Sequence, residues 1–224
     1  ECKRKLKTNN LIRELFTSEY WRKTVCLWTM WFCFSMVYNG TTFILPLVGA
    51  ALNKNQTEED GIKYEDLYIS TCGEIPSLLM SFWMVEHPYF GRRNTMIIFY
   101  VLTAIASFCT HLYPEKYMFF IFLSKFFIQT AHFMFYLVAA ELYKTNLRAT
   151  AMGSASGFAK LGGILMPWVV FQFAGEPTMP FVIFGMVMVI GTIAIILLPG
   201  GDTRGKDLDA NDQPENSSTM AKML

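Results

Sequence analysis

Six apolar runs, each near twenty residues long, alternate with short charged or polar stretches, and this alternation restricts the fold more than any single motif. The runs cover 24–49, 67–85, 95–112, 117–140, 149–173 and 179–198. A helix rises 1.5 Å per residue, so about 20 residues cross a hydrocarbon core of about 30 Å. The expected fold is all-α, a polytopic membrane protein in which 24–199 form a six-helix transmembrane domain. Of the 224 residues 17% are charged, and these gather between the runs, a segregation that a soluble domain does not need.

Charge placement predicts orientation. With the N-terminus in the cytosol, the inside stretches hold Lys3, Arg4, Lys5, Lys7, Arg13, Arg22, Lys23, Arg92, Arg93, Lys144, Arg148, Arg204, Lys206 and Lys222; the outside loops hold Lys54, Lys63 and Lys116. The positive-inside rule therefore places both termini in the cytosol. Residues 1–23 then form a basic leader with no apolar core long enough for a secretory signal, and 200–224, with little to bury, are expected to be disordered. Asn55-Gln56-Thr57 in the first outside loop is a glycosylation acceptor triplet on the side where it could be used.

Several function classes are argued against. A net charge of +1 without a basic stripe gives no reason to expect a nucleic-acid partner. The five cysteines show no C-x-x-C and no ligand spacing, so neither a metal nor another cofactor is expected. His87, His111 and His132 are scattered, and no nucleophile stands at base spacing, so no catalytic residue is named and an enzyme is not expected.

The polar residues inside the runs carry the functional reading. Lys125, Gln129, His132 and Tyr136 are spaced i, i+4, i+7 and i+11, which puts them on one helix face. An ionisable group at the bilayer centre costs at least about 2.5–3.5 kcal/mol, so Lys125 should face protein, water or a partner. The face is either one wall of a solute pathway or an internally satisfied packing seam. Glu74 lies roughly 10 Å below the outer end of the second run and Lys125 roughly 12 Å below that of the fourth, so the two could pair. Lys160, about 16 Å in from the inner end of the fifth run, either tethers neighbouring carbonyls or contacts substrate. Asn39, with Gly40 and Pro46, should weaken the first helix in its outer half, as an outer gate or a simple kink. His132 is a candidate proton-sensitive group, with a hydrogen-bonded interior residue as the alternative.

Two further features concern packing and the inner face. Gly153-x-x-x-Gly157 should let a neighbouring helix approach closely. Glu86 precedes Gly91-Arg92-Arg93, whose cations can meet carboxylates or the negative ends of adjacent helices, or can act as topology signal alone. Glu141 and Arg148 flank the turn between the fourth and fifth runs and complete the set of inner-loop and gating candidates.

These residues stand in stretches that resemble the major facilitator transporters, in the branch of the organic ion transporters and the synaptic vesicle glycoproteins with their related proteins. The stretches are Leu15-Phe16-Thr17 with Leu27-Trp28, Trp31-Phe32 and Tyr38-x-Gly40; Gly73-Glu74-Ile75-Pro76; Gly91-Arg92-Arg93; Glu141-Leu142-Tyr143-x-Thr145-x-x-Arg148; and Pro199 with Asp202-Thr203-x-Gly205. The pattern departs at the inner loop, where four residues separate Glu86 from Gly91, at Lys144 in place of a proline, and at Gly200-Gly201.

The resemblance implies the C-terminal six-helix half of a twelve-helix transporter, with 1–23 as the remnant of the central loop. Two pseudo-symmetric halves would work by alternating access, the first, second, fourth and fifth helices lining the cavity and the third and sixth facing outward. It further implies a secondary transporter for a small organic solute, ionic or neutral, in the plasma membrane or an intracellular vesicle membrane. The partners would be the lipid bilayer, the solute and an N-terminal six-helix half, in the same chain or a separate one. The alternative is a non-transporting membrane scaffold or assembly subunit that keeps the fold.

Overall fold

The computed structural model describes residues 12–52, 64–86, 91–173 and 175–199; Asn55, residues 1–11 of the basic leader and the C-terminal tail lie outside them. The described residues form α1 (Trp21–Leu52), α2 (Tyr64–Cys72), α3 (Glu74–Glu86), α4 (Arg92–Leu112), a 3-10 turn (Pro114–Lys116), α5 (Tyr117–Leu142), α6 (Thr145–Gln172) and α7 (Met179–Leu197), with no strand among them. Among the described residues five helices, α1, α4, α5, α6 and α7, are long and apolar enough to cross a membrane. The protein is an all-α polytopic membrane protein.

The second expected span departs from this pattern. Residues 67–85 are not one helix but parts of two, α2 and α3, separated at Gly73. Pro76 is the local cause. It has no N–H to return to the Cys72 carbonyl, and its ring crowds that carbonyl, which together with Gly73 favours a break at this point. The amide of Ser77 bonds the Gly73 carbonyl at 3.3 Å and starts the new helix.

The weakened first helix is the converse case. Asn39, Gly40 and Pro46 should weaken it, as an outer gate or a simple kink, and α1 nevertheless stays helical for 32 residues, about 48 Å, with Pro46 inside. Tertiary packing outweighs the local propensities. A Cβ at Gly40 would lie 2.3 Å from the Phe184 ring of α7, so the glycine is where α7 presses its aromatic ring onto α1. Thr41 and Thr42 turn their hydroxyls back to the Val37 and Tyr38 carbonyls, at 2.7 and 2.9 Å, and cover the backbone on either side.

α1 packs against α6 and α7, α4 against α5 and α7, and α3 against α5. Small residues do let α6 approach α1, but not the pair that the sequence suggested. A Cβ at Gly153 or Gly157 would meet nothing within 4 Å, whereas one at Gly162 would lie 2.7 Å from the Phe32 carbonyl oxygen. The stripe that continues to Gly162 is Ala151, Ala155 and Ala159, all buried at helical spacing. On the outer sides of α4 and α7, Ile98, Val101, Ile105, Met186, Val189, Ile190 and Ile193 are exposed, apolar rows suited to lipid.

Candidate functional site

Three helices bring polar side chains, two of them charged, into the apolar bundle at one place. Tyr38 on α1 donates its hydroxyl to Glu74 Oε1 of α3 at 2.7 Å. Lys125 of α5 is 1% exposed, and its Nζ lies 4.8 Å from the centre of the same tyrosine ring. It donates to Thr42 Oγ1 at 2.5 Å. Tyr38 and Thr42 are one turn apart on α1, so a single helical repeat builds the lysine's pocket. Thr42 donates its own proton to the Tyr38 carbonyl and offers a lone pair to the ammonium.

Glu74 and Lys125 thus converge without a direct ion pair; Tyr38 stands between them, its hydroxyl on the acid and its π face on the base. A cation over an aromatic face is held by the ring quadrupole, worth about 2 kcal/mol when desolvated. Glu74 gains from its place at the start of α3, where the helix dipole favours negative charge. The carboxylate is half-buried while the ammonium is sealed.

Two turns further along α5 the surroundings become aromatic. His132 lies flat against Phe34 of α1, ring centres 3.7 Å apart at 14°, and meets Trp31 and Tyr136 edge-on at 5.8 and 4.7 Å. Phe34 in turn stacks on Tyr38 at 5.4 Å, which joins this cluster to the charged one. Within it, Trp31 Nε1, Gln129 Oε1 and His132 Nδ1 are buried without a hydrogen-bond partner. Each such unmade bond costs about 1–3 kcal/mol. Tyr136 closes the cluster and is 40% exposed.

The remaining pathway candidates lie apart. Asn39 is exposed and spends its amide on Ser35, at 2.7 Å to the carbonyl and 3.1 Å to the hydroxyl. Lys160 is exposed on the face of α6 that carries Gly153, Gly157 and Ile164 rather than on the buried alanine stripe.

The basic end of the bundle holds a second constellation. Gly91 leads into α4, whose first residue Arg92 forms an ion pair with Glu141 in the last turn of α5. Arg93 donates to the Ile196 carbonyl near the end of α7, where the helix dipole is negative. Adjacent arginines thus tie α4 to two different helices. Arg148 is half-buried with its Nε lacking a hydrogen-bond partner. Glu86 ends α3, with its side chain outside the described residues. Beside this set, Thr24 Oγ1 meets Tyr143 Oη at 3.1 Å and the Leu15 carbonyl at 3.1 Å, fastening the segment before α1 to the α5–α6 turn. Burial pushes the Tyr143 phenol up to about 12, so it stays neutral there.

Sequence reasoning placed Lys125, Gln129, His132 and Tyr136 on one face of α5 and matched Glu74 to Lys125 by depth; the structure brings Glu74 and Lys125 together through Tyr38. The same reasoning missed Tyr38, Thr42, Trp31 and Phe34, which do the joining. The four-residue spacing of Tyr38 and Thr42 on one face of α1 was the available signal.

No family model matches the chain. Curated relatives do. It is 26% identical to a beta-alanine transporter of Drosophila melanogaster over 209 residues, 93% of this chain and 32% of that protein. It is 25% identical to a synaptic vesicle 2-related protein of Xenopus laevis over 231 residues, 93% of this chain and 41% of that protein. It is 26% identical to an organic cation/carnitine transporter of Arabidopsis thaliana over 211 residues, 88% of this chain and 42% of that protein. The chain is similar to these proteins over most of its length, in agreement with its resemblance to the major facilitator transporters. It spans 32 to 42% of the length of these relatives, and the similarity runs through α1 to α7 rather than a single motif. Most of these names describe the movement of an organic solute rather than a chemical conversion.

Proposed function

We propose that the chain is the C-terminal half of a secondary transporter for a small organic solute and supplies one wall of its pathway. The observation that carries this reading is the meeting of Glu74, Tyr38, Thr42 and Lys125 inside an apolar bundle. Burying a lysine and placing an acid beside it is costly for a helix bundle that needs only to pack, and intramembrane charge marks solute or ion routes. The exposed polar groups Asn39, Tyr136 and Lys160 support the same reading. A lysine near mid-membrane is poorly placed against lipid, so its face suits water or the N-terminal half. The ion pair and carbonyl contact of Arg92 and Arg93 are suited to bracing one conformation of an alternating pair of halves.

The test is uptake by the full-length protein in proteoliposomes, with beta-alanine and carnitine as first solutes because the names of two relatives point to them. Saturable uptake that falls at least about tenfold in Lys125→Met or Glu74→Gln, with folding intact, is the expected result. Folded variants that leave a measured uptake unchanged would remove these residues from the pathway.

A further inference from the structure

We propose that Trp31, Gln129 and His132 form a hydrogen-bonding subsite for an uncharged group on the solute that both donates and accepts, a hydroxyl being the simplest. The inference rests on the transporter reading above and adds what that reading leaves open, namely what the pathway recognises besides charge.

Three observations converge on the seam between α1 and α5. Trp31 is 4% exposed, and its Nε1, a donor only, has no partner. Gln129 Oε1, an acceptor only, is likewise buried and unpaired. His132 Nδ1, which can serve in either sense according to its tautomer, is the third. Gln129 and His132 are three residues apart on one face of α5, and the Trp31 ring meets His132 edge-on at 5.8 Å. A hydroxyl has the matching pattern, accepting from the indole N–H while donating to the amide oxygen or the imidazole nitrogen.

The rings around these atoms exclude competing partners. Phe34 lies flat against His132 at 3.7 Å, and Phe135 and Tyr136 close on the same imidazole at 5.2 and 4.7 Å. Phe34 is half-buried, so its rotation is the movement that would open the subsite. Lys125 and Glu74 lie one step along the same seam through Phe34 and Tyr38, which places the uncharged group beside the charged one. Sites that hydrogen-bond a substrate hydroxyl reject the analogue lacking it far better than an apolar pocket rejects the analogue that carries one, because the site's own polar groups are then left unpaired.

The experiment compares matched solutes in proteoliposomes of the full-length protein: carnitine against γ-butyrobetaine, and isoserine against beta-alanine, each pair differing by one hydroxyl. The expected result is a lower KM for the hydroxylated member, with the ratio of KM values within each pair reduced about tenfold in Gln129→Met and in Trp31→Phe. Gln129→Met keeps close to the side-chain volume, whereas Trp31→Phe leaves a small cavity in a buried site, so a change in the ratio of the two KM values in Gln129→Met is the readout that a purely structural role would not give. Equal KM values within both pairs, or variants that slow both members alike, would overturn the subsite and leave the transport reading standing. No uptake of any of the four solutes would overturn both for this class of solute.

Discussion

Tyr38 and Glu74 are joined across α1 and α3 by a 2.7 Å hydrogen bond, and the same tyrosine presents its ring to the Lys125 ammonium at 4.8 Å. One side chain therefore serves an acid through its hydroxyl and a base through its π face. Tyr38→Phe should separate these roles, keeping the ring for Lys125 while removing the bond to Glu74. Thermal unfolding of Tyr38→Phe, Glu74→Gln and the double variant should give a coupling of about 1.5–3 kcal/mol, the range for a hydrogen bond to a charged group. Additive single effects would mean that the two residues act separately.

Lys125 offers a test that divides packing from transport. It has no direct carboxylate partner, so Lys125→Met removes a buried charge without stranding another and should change stability by no more than about 1 kcal/mol. Uptake should nevertheless fall at least about tenfold. A variant that unfolds instead would show that the lysine holds α5 to α1 through Thr42.

Arg92 and Glu141 pair at the basic end with side chains 18% and 11% exposed. Removing one partner strands a largely buried charge, and Arg92→Gln should cost about 3–5 kcal/mol. The exchange Arg92→Glu with Glu141→Arg should recover most of it. Denaturation in detergent reads both, and a double variant no better than the single ones would show that the surroundings, not the pair, set the preference.

Neighbouring glycines on α6 should respond in opposite ways. A Cβ at Gly162 would lie 2.7 Å from the Phe32 carbonyl oxygen, backbone that cannot swing aside, so Gly162→Ala should destabilise by about 1–3 kcal/mol. At Gly163 the nearest atoms would be Asn39 Nδ2 and Ser35 Oγ, both at an ordinary 3.8 Å. Gly163→Ala should be neutral or stabilising by up to about 1 kcal/mol, the helix-propensity gain. Equal losses at both positions in thermal unfolding would contradict the packing of α6 on α1.

The parts of the site legible in the sequence were those fixed by helical periodicity. Lys125, Gln129, His132 and Tyr136 share a face because 3.6 residues make a turn, whatever surrounds the helix. Glu74 was found from depth alone, by counting residues from the end of its run. Tyr38 was not found as a site residue, because its importance depends on which face of α1 meets α3 and α5. The Gly153-x-x-x-Gly157 reading failed for a related reason. Small residues permit close approach, but only the neighbour decides which of them is used, and here α1 takes Ala151, Ala155, Ala159 and Gly162.

The sequence by itself determined that the chain is a bundle of apolar helices and which polar residues stand inside it. Length against the hydrocarbon thickness and the helical repeat act on each segment alone, and both can be counted along the chain. Only the tertiary structure decided that α1 runs unbroken through Asn39 and Pro46, that α2 and α3 part at Gly73, and that an acid and a base meet through Tyr38. These outcomes depend on contacts between segments distant in sequence, Gly40 with Phe184 and Tyr38 with Glu74 and Lys125, where packing and desolvation outweigh local preference.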